Sequence, residues 1–312
     1  MKDVKLILTI AITILTLYSC RNNKDDDMQA RVNSVYYWRT SFYLSDGERK
    51  FIRDYDIHNL YVRYFDVTPN EDSTLMPNAT ITFDGYPMPQ SVNIIPVIYI
   101  LNECMKYNIN DLGVKIVKRI MQINATNNIH HVKEIQIDCD WTMRSQKQYF
   151  ALLRDIRQYN AKHGIRLSAT IRLHQLSQTP PPVDNGTLMV YNTGDVKDIH
   201  CLNPILQLKD VSPYLKYIAD YPLKMNAAYP IFRWKLLYRN SHFVGFMHGD
   251  NIETYPGDSI IERQCPAEEI LKVRDAISKE NKEINRSVII YTLDNNNIKR
   301  YNKDDIKKIY NR

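Results

Sequence analysis

Two acidic residues, Asp138 and Asp140, stand two positions apart in the segment EIQIDCDWT (134–142). Side chains alternate faces along a β-strand, so both carboxylates point to the same side if this segment is a strand. The opposite face carries apolar residues: Ile135, Ile137, Cys139 and Trp141. Two carboxylates on one face can work as general acid and base, or can anchor a polar ligand. We take them as the candidate catalytic pair.

A second polar face follows in the segment IRLSATIRL (165–173). Its polar residues alternate with apolar ones and continue into the next residue: Ser168, Thr170, Arg172 and His174. Arg172 is the expected partner of Asp140, because an unpaired buried charge is very costly. Two interpretations remain open. One is an ion-pair network that fills a polar core, and the other is a ligand site anchored by the two aspartates.

Other aromatic and charged residues near predicted strand ends complete the candidate ligand-binding set. An aromatic ring suits the apolar C–H face of a sugar, although tryptophan and tyrosine also serve as core residues. The set is Trp38, Arg39, Arg63, Asp66, Trp141, Arg172, His174, Tyr191, Asn192, Tyr229, Tyr291 and Asp294.

Strand-like and helix-like segments alternate from residue 32 onward, which predicts parallel strand pairing. The predicted strands are 32–40, 59–67, 93–100, 132–141, 165–173, 187–192, 223–231 and 286–293. The predicted helices are 45–57, 110–127, 145–163, 211–220 and 266–284. Eight such units in this length are typical of a (β/α)8 barrel, which we expect to occupy residues 32–312 as a single domain.

The alternative fold is an open doubly wound sheet. That fold commonly carries a glycine-rich phosphate turn after its first strand, and YYWRTSFYLSDG (36–47) offers none. Two regions exceed a minimal barrel: a proline-rich loop at 68–92 and a hairpin insertion at 230–264, after the seventh strand. Both follow strands, so both are expected at the carboxyl rim, where barrel ligands bind.

The fourth-strand segment resembles the D-x-x-D-x-D-x-E signature of glycoside hydrolase family 18, the chitinase-like barrels. Asp138 and Asp140 match the second and third acids, and Trp141 matches a common tryptophan. Ile135 stands in place of the first acid, and Thr142 in place of the catalytic proton donor. The segment LMVYNTGD (188–195) resembles that family's M-x-Y-D on the sixth strand, with Met189 and Tyr191 matching and Asn192 where an acid is usual.

The missing donor bears on function. The resemblance implies a mechanism in which a carboxylic acid protonates the leaving oxygen while the substrate's own amide attacks, and a threonine hydroxyl cannot supply that proton. We therefore expect a barrel that binds glycan without this type of hydrolysis. The alternatives are a glycoside hydrolase with another acid, such as Glu253 or Asp294, and a structural or interaction lipoprotein with a vestigial pocket.

The N-terminus predicts the location of the protein. Lys2 and Lys5 precede a twelve-residue apolar run, as in a signal peptide, and LYSC (17–20) resembles a bacterial lipobox. This resemblance implies cleavage after residue 19 and lipidation of Cys20, with residues 20–31 as a tether. Lys24–Asp27 resembles the export tag of Bacteroidetes surface lipoproteins, which the chain resembles as a whole. We expect an outer-membrane, surface-exposed lipoprotein, with an outer-membrane protein as a possible partner.

Composition excludes some classes of protein. The net charge of +6 is spread along the chain, which gives little support to nucleic-acid binding. Beyond Cys20, the cysteines at 104, 139, 201 and 265 lie far apart with no C-x-x-C spacing, so no metal site is predicted and free thiols are expected. No motif indicates a cofactor.

Overall fold

The computed structural model describes residues 32–83, 89, 91–247, 249 and 253–310. The predicted signal peptide (1–19), the tether (20–31) and Cys20 lie outside the described residues.

Among the described residues, eight parallel strands close into a barrel. They are β1 (Asn33–Tyr37), β3 (Ile57–Pro69), β6 (Asn93–Ile100), β7 (Glu134–Asp138), β8 (Arg166–Arg172), β9 (Asn185–Met189), β10 (Met225–Pro230) and β14 (Val288–Tyr291). Each strand pairs with the next in chain order, and β1 closes the ring by pairing with both β3 and β14. The predicted single-domain (β/α)8 barrel is confirmed.

The helices follow the predicted segments, with two short additions near the C-terminus. They are α1 (Asp46–Asp54), α2 (Leu112–Thr126), α3 (Gln146–Ala161), α4 (Leu208–Leu215), α5 (Ala267–Glu280), α6 (Asn295–Ile298) and α7 (Lys303–Ile309). The connection after β8 forms only a 3₁₀ turn, Leu173–Ser177. Three consecutive prolines follow at 180–182, and they lack the N–H groups that a helix needs.

The insertion after the seventh barrel strand is a three-stranded antiparallel sheet. It consists of β11 (Arg233–Arg239), β12 (His242–Met247) and β13 (Asp258–Gln264). Asn240 and Ser241 join β11 to β12 with φ of 48° and 66°, and positive φ at both central residues is the signature of a type I′ hairpin turn. The predicted hairpin is confirmed, and β13 adds a third strand to it.

Three shorter strands lie at the rim of the barrel. They are β2 (Ser41–Phe42), β4 (Leu75–Asn78) and β5 (Thr82–Phe83). β4 folds back antiparallel on β3, and β5 pairs with β2. The described part of the 68–92 connection therefore contains strands where many barrels have a helix.

The barrel interior is polar and internally hydrogen-bonded. Gln136 is fully buried, and its Nε2 donates to Thr187 Oγ1 at 3.0 Å. Ser168 Oγ donates to Glu134 Oε1 at 2.7 Å. The inward direction predicted for the polar face of 134–140 therefore holds, because a buried polar group must find partners inside the barrel.

No helix in the described part of the chain combines the length and apolar character needed to cross a membrane.

Candidate functional site

The two aspartates lie at different depths at the carboxyl end of β7. Asp138 is the last residue of the strand and is buried, whereas the side chain of Asp140 is 54% exposed. Thr170 Oγ1 donates to Asp138 Oδ1 at 2.6 Å from the neighbouring strand β8. The pair therefore consists of one interior carboxylate and one carboxylate at the mouth.

Arg172 joins both aspartates. Its Nη2 lies 3.0 Å from Asp138 Oδ1, and its Nε donates to Asp140 Oδ1. Burial disfavours the guanidinium charge, but the two carboxylates outweigh burial and raise the pKa of Arg172. Burial also raises the pKa of Asp138, against the opposing effects of Arg172 and Thr170. The predicted partner of Asp140 thus bridges both acids.

A buried glutamine holds the two strand ends in register. Gln175 Oε1 accepts a hydrogen bond from the backbone N–H of Arg172 at 2.8 Å, and its Nε2 donates to the carbonyl of Trp141 at 2.9 Å. Gln175 is fully buried. Sequence reasoning did not identify Gln175, because it lies in the RLHQL turn and only its side-chain hydrogen bonds show that it links the two strand ends.

A pocket of about 290 Å³ opens beside Asp140. It is lined by Asp140, Arg172, Leu173, His174, Met189, Tyr191, Asn192, Thr193, Asp210 and Tyr214. Five of the predicted site residues therefore meet in one cavity.

Three further pocket residues, Thr193, Asp210 and Tyr214, come from the rim after the sixth strand. Asp210 and Tyr214 belong to α4, and Thr193 Oγ1 donates to Asp210 Oδ2 at 3.4 Å. The sequence signal for Asp210 was its place in the first helical turn after the sixth strand, where parallel strands deliver side chains to the barrel mouth. No motif singled it out.

His174 lies beside the acidic pair. Burial lowers the pKa of His174, Asp140 opposes this effect, and Arg172 adds to it. The imidazole is therefore mainly neutral at pH 7, and it can both donate and accept a hydrogen bond.

A tyrosine stack forms one side of the mouth. The rings of Tyr191 and Tyr291 are stacked with centroids 5.0 Å apart, and Trp38 lies 5.7 Å from Tyr291. The Tyr191 hydroxyl contacts Met189 Sδ at 3.3 Å, which is a weak acceptor.

Arg63 and Asp66 form an ion pair next to this stack. Arg63 Nε donates to Asp66 Oδ1 at 2.7 Å, and the guanidinium carbon lies 5.6 Å from the Trp38 ring centroid. Asp66 contributes to the raised pKa of Asp138, which places its charge near that carboxylate. Asp66 and Tyr291 therefore lie near Asp138, and Arg63 and Trp38 contact them.

Tyr99 is a further neighbour that the sequence did not single out. It pairs in register with Asp138 across β6 and β7. Burial and then Asp140 raise the pKa of Tyr99 to about 12. The signal available from sequence was its position, second from the end of the third strand.

Two predicted aromatic contacts are displaced from the mouth. Trp141 is fully buried and stacks on Tyr149 of α3 at 6.0 Å, because it belongs to the apolar face of its segment. Tyr229 is also fully buried, and its hydroxyl donates to Asn285 at 2.7 Å beside α5. Neither ring is available to stack on a sugar, so the structure corrects both assignments.

Two charged residues of the predicted ligand-binding set bind other parts of the protein. Arg39 Nη2 donates to Glu48 of α1 at 2.8 Å. Asp294 accepts hydrogen bonds from the N–H groups of Asn296 and Asn297 at the start of α6. Asp294 lines a separate cavity of about 240 Å³ with Arg233 and other residues of the insertion. Sequence placed them by proximity to strand ends, which does not give side-chain direction.

No carboxylate occupies the donor position of the fourth-strand motif. Thr142 is exposed, its N–H donates to Ser145 Oγ at 2.9 Å, and its hydroxyl contacts the same atom at 3.4 Å. Thr142 thus belongs to the turn that begins α3. Glu253, one of the proposed substitutes, is exposed and is not among the pocket residues.

The four cysteines in the described residues are free thiols, and three of them are buried. No group of three or more His, Cys, Asp or Glu side chains suited to a metal ion occurs within the described part of the chain.

The fold is similar to solved structures of chitinases. The C-terminal domain of a putative chitinase from Desulfitobacterium hafniense is 12% identical, with a TM-score of 0.56 over 90% of this chain and 99% of that one. A class V chitinase from Pseudomonas fluorescens is also 12% identical, with a TM-score of 0.53 over 85% and 95%. The spore cortex-lytic enzyme SleL from Bacillus megaterium is 13% identical, with a TM-score of 0.53 over 85% and 72%.

No family model matches the sequence, and no curated protein matches it. At these identities the structural similarity establishes the fold alone. The expected resemblance to chitinase-like barrels is therefore confirmed at the level of the (β/α)8 architecture.

Proposed function

We propose that this protein binds a glycan in the pocket beside Asp140 and does not hydrolyse it by the family-18 mechanism. Carboxylate, hydroxyl and amide groups line this cavity next to tyrosine rings. Such a mixture suits a sugar, because polar side chains bind its hydroxyl groups while aromatic faces cover its C–H groups. The position at the carboxyl ends of barrel strands, where such sites cluster, supports the proposal.

The observation that carries this proposal is the Arg172 bridge. Both acids of the pair bind one guanidinium, and Thr142 stands at the donor position. A general acid must present a proton to the leaving oxygen within hydrogen-bond reach. Asp138 is buried behind Arg172, and Asp140 already accepts a hydrogen bond from it. These contacts favour anchoring over proton transfer.

A binding experiment with a control variant far from the pocket tests the proposal. The full chain is titrated calorimetrically against a panel of soluble oligosaccharides, together with Asp140→Ala and Glu268→Ala. Glu268 is exposed on α5 and pairs only with Lys272 in the described structure. We expect binding by the natural chain and by Glu268→Ala, and loss of binding in Asp140→Ala. Unchanged affinity in Asp140→Ala would exclude this pocket.

A second candidate function is hydrolysis with a different acid. Asp210 lines the same cavity as Asp140 and comes from another part of the barrel. Glycosidase carboxylates usually flank the bond from opposite sides. Release of reducing ends from the same oligosaccharides, abolished by Asp210→Asn, would support hydrolysis and contradict the non-hydrolytic proposal.

We further propose that Cys20 carries the lipid anchor and that the barrel is exposed on the outer membrane. The lipobox-like LYSC and the Lys24–Asp27 segment support this location. Several acyl chains hold a protein on a membrane, where a single chain does so only marginally. Metabolic labelling with an alkyne fatty acid should mark the natural chain and not Cys20→Ser. Protease treatment of intact cells should degrade the barrel, and full protection would contradict surface exposure. Crosslinking on such cells would identify an outer-membrane protein partner.

A further inference from the structure

We propose that the pocket prefers a sugar with a positively charged amine, such as a deacetylated amino sugar, over its neutral N-acetyl counterpart. This inference rests on the proposed glycan-binding function and adds a ligand class to it. It is carried by the balance of charges around the cavity.

The charged groups at the pocket are mostly acidic. Asp140 and Asp210 line the cavity, and Asp138 lies just beneath it. Arg172 is the guanidinium among the pocket residues, and it is shared between Asp138 and Asp140. Three carboxylates against one cation leave an excess of two negative charges. One negative charge remains even when Asp138 is protonated.

Asp210 lines the cavity and takes no part in the Arg172 bridge. It lies in the first turn of α4, where the helix dipole favours a negative charge. The hydroxyl of Thr193, which is its hydrogen-bond donor, carries no charge. His174, the other titratable base in the lining, is mainly neutral at pH 7, as burial lowers its pKa. Asp210 is therefore the carboxylate best placed to bind an ammonium group.

The tyrosines at the mouth offer a second attraction for a cation. Tyr191 lines the cavity and is 8% exposed, and its hydroxyl contacts the thioether sulfur of Met189. Its ring stacks on Tyr291, and an ammonium group near an aromatic face is attracted by the ring quadrupole. The weak acceptor also leaves the Tyr191 hydroxyl able to exchange its contact for a ligand atom. Charge and aromatic surface thus favour the same chemical group.

The experiment compares two ligands of equal length. Glucosamine and N-acetylglucosamine oligomers are titrated into the full chain by calorimetry at weakly acidic pH, where the free amine is protonated. At low ionic strength we expect the glucosamine oligomer to bind about tenfold more tightly, a difference of about 1.4 kcal/mol. At about 0.5 M salt, where charges are screened beyond a few ångströms, the ratio of the two affinities should fall.

Variants assign the preference to one carboxylate. Asp210→Asn should lower the affinity ratio severalfold, and Glu268→Gln on α5 should leave it unchanged. Circular dichroism of both variants verifies that they are folded. An unchanged ratio in folded Asp210→Asn would overturn the role of that carboxylate.

The outcomes separate this inference from the proposed function. Equal binding of the two oligomers, or preference for the acetylated one, overturns the inference and leaves glycan binding intact. Binding of a different, uncharged glycan with no binding of glucosamine oligomers does the same. Absence of binding to every oligosaccharide in the panel overturns both.

Discussion

At the scale of single residues, Arg172 is the centre of the site. It is the cation that compensates Asp138, whose carboxylate is buried. Removing one partner of a buried pair leaves an uncompensated charge, which costs more than the pair itself contributes. The ion pair therefore fixes the geometry of the mouth even where its net contribution to stability is small.

We predict that Arg172→Met lowers the free energy of unfolding by about 3 kcal/mol, because Asp138 stays buried without its cation. Urea denaturation of the variant and the natural chain at neutral pH measures the difference. Lys272→Met on the exposed face of α5 is the control, and it should change stability little, since exposed ion pairs contribute little. Equal stability of Arg172→Met and the natural chain would show that Asp138 does not need the guanidinium.

Asp138 should also make the stability depend on pH. Its pKa in the folded state is raised above the ordinary value of 3.8, so the folded protein binds more protons than the unfolded chain just above that pH. Stability contributed by this group therefore falls as pH rises from about 3.8 through the folded pKa. We therefore predict that the natural chain loses stability relative to Asp138→Asn as the pH rises through this range. A gain in the stability of the natural chain relative to Asp138→Asn with rising pH would mean that the effect of the Arg172 charge on the pKa of Asp138 exceeds the effect of burial.

At the scale of elements, the site depends on how the ends of β7 and β8 are joined. Gln175 satisfies the N–H of Arg172 and the carbonyl of Trp141 with one buried amide. A buried donor or acceptor without a partner costs about 1–3 kcal/mol. The turn after β8 is thus part of the site, although it contributes no charge.

We predict that Gln175→Leu lowers the free energy of unfolding by about 2 kcal/mol, because two buried backbone groups lose their partner. It should also weaken glycan binding, since Arg172 is no longer held in register. Gln158→Leu on the exposed face of α3 is the matched control for both measurements. If Gln175→Leu were destabilised but bound glycan with unchanged affinity, the turn after β8 would not contribute to the binding site.

The elements were predictable because their patterns are local. Each of the eight predicted strand segments overlaps one barrel strand. Helix α3 ends near Gly164, as its cap signals suggested. The prediction of a helix at 211–220 was shifted, since α4 spans Leu208–Leu215. Element boundaries depend on packing and capping, which a propensity pattern locates only approximately.

At the scale of the whole molecule, barrel closure decides which residues meet. Strand alternation correctly directed Asp138 and Arg172 into one interior. The same alternation places Trp141 against the helices, so the family-18-like motif suggested a contact that the strand geometry excludes. Asp210 joins the pocket from a segment 70 residues after Asp140. No motif reveals such a meeting, because it arises from the closure of the barrel.

The molecule carries a net charge of +6, yet acids predominate at its candidate binding pocket. A cleft of one sign focuses the local field and can attract a ligand of the opposite sign despite the overall charge. The net charge of the sequence therefore indicates little about the ligand, and the charged residues at the barrel mouth indicate more.

The central claim is that a glycan occupies the carboxyl mouth of the barrel. A crystal structure of the full chain soaked with the tightest oligosaccharide of the panel tests it most directly. We predict a sugar ring in the pocket, with one of its polar atoms within hydrogen-bond distance of an Asp140 carboxylate oxygen. A sugar bound elsewhere, with the Asp140 pocket left empty, would contradict it.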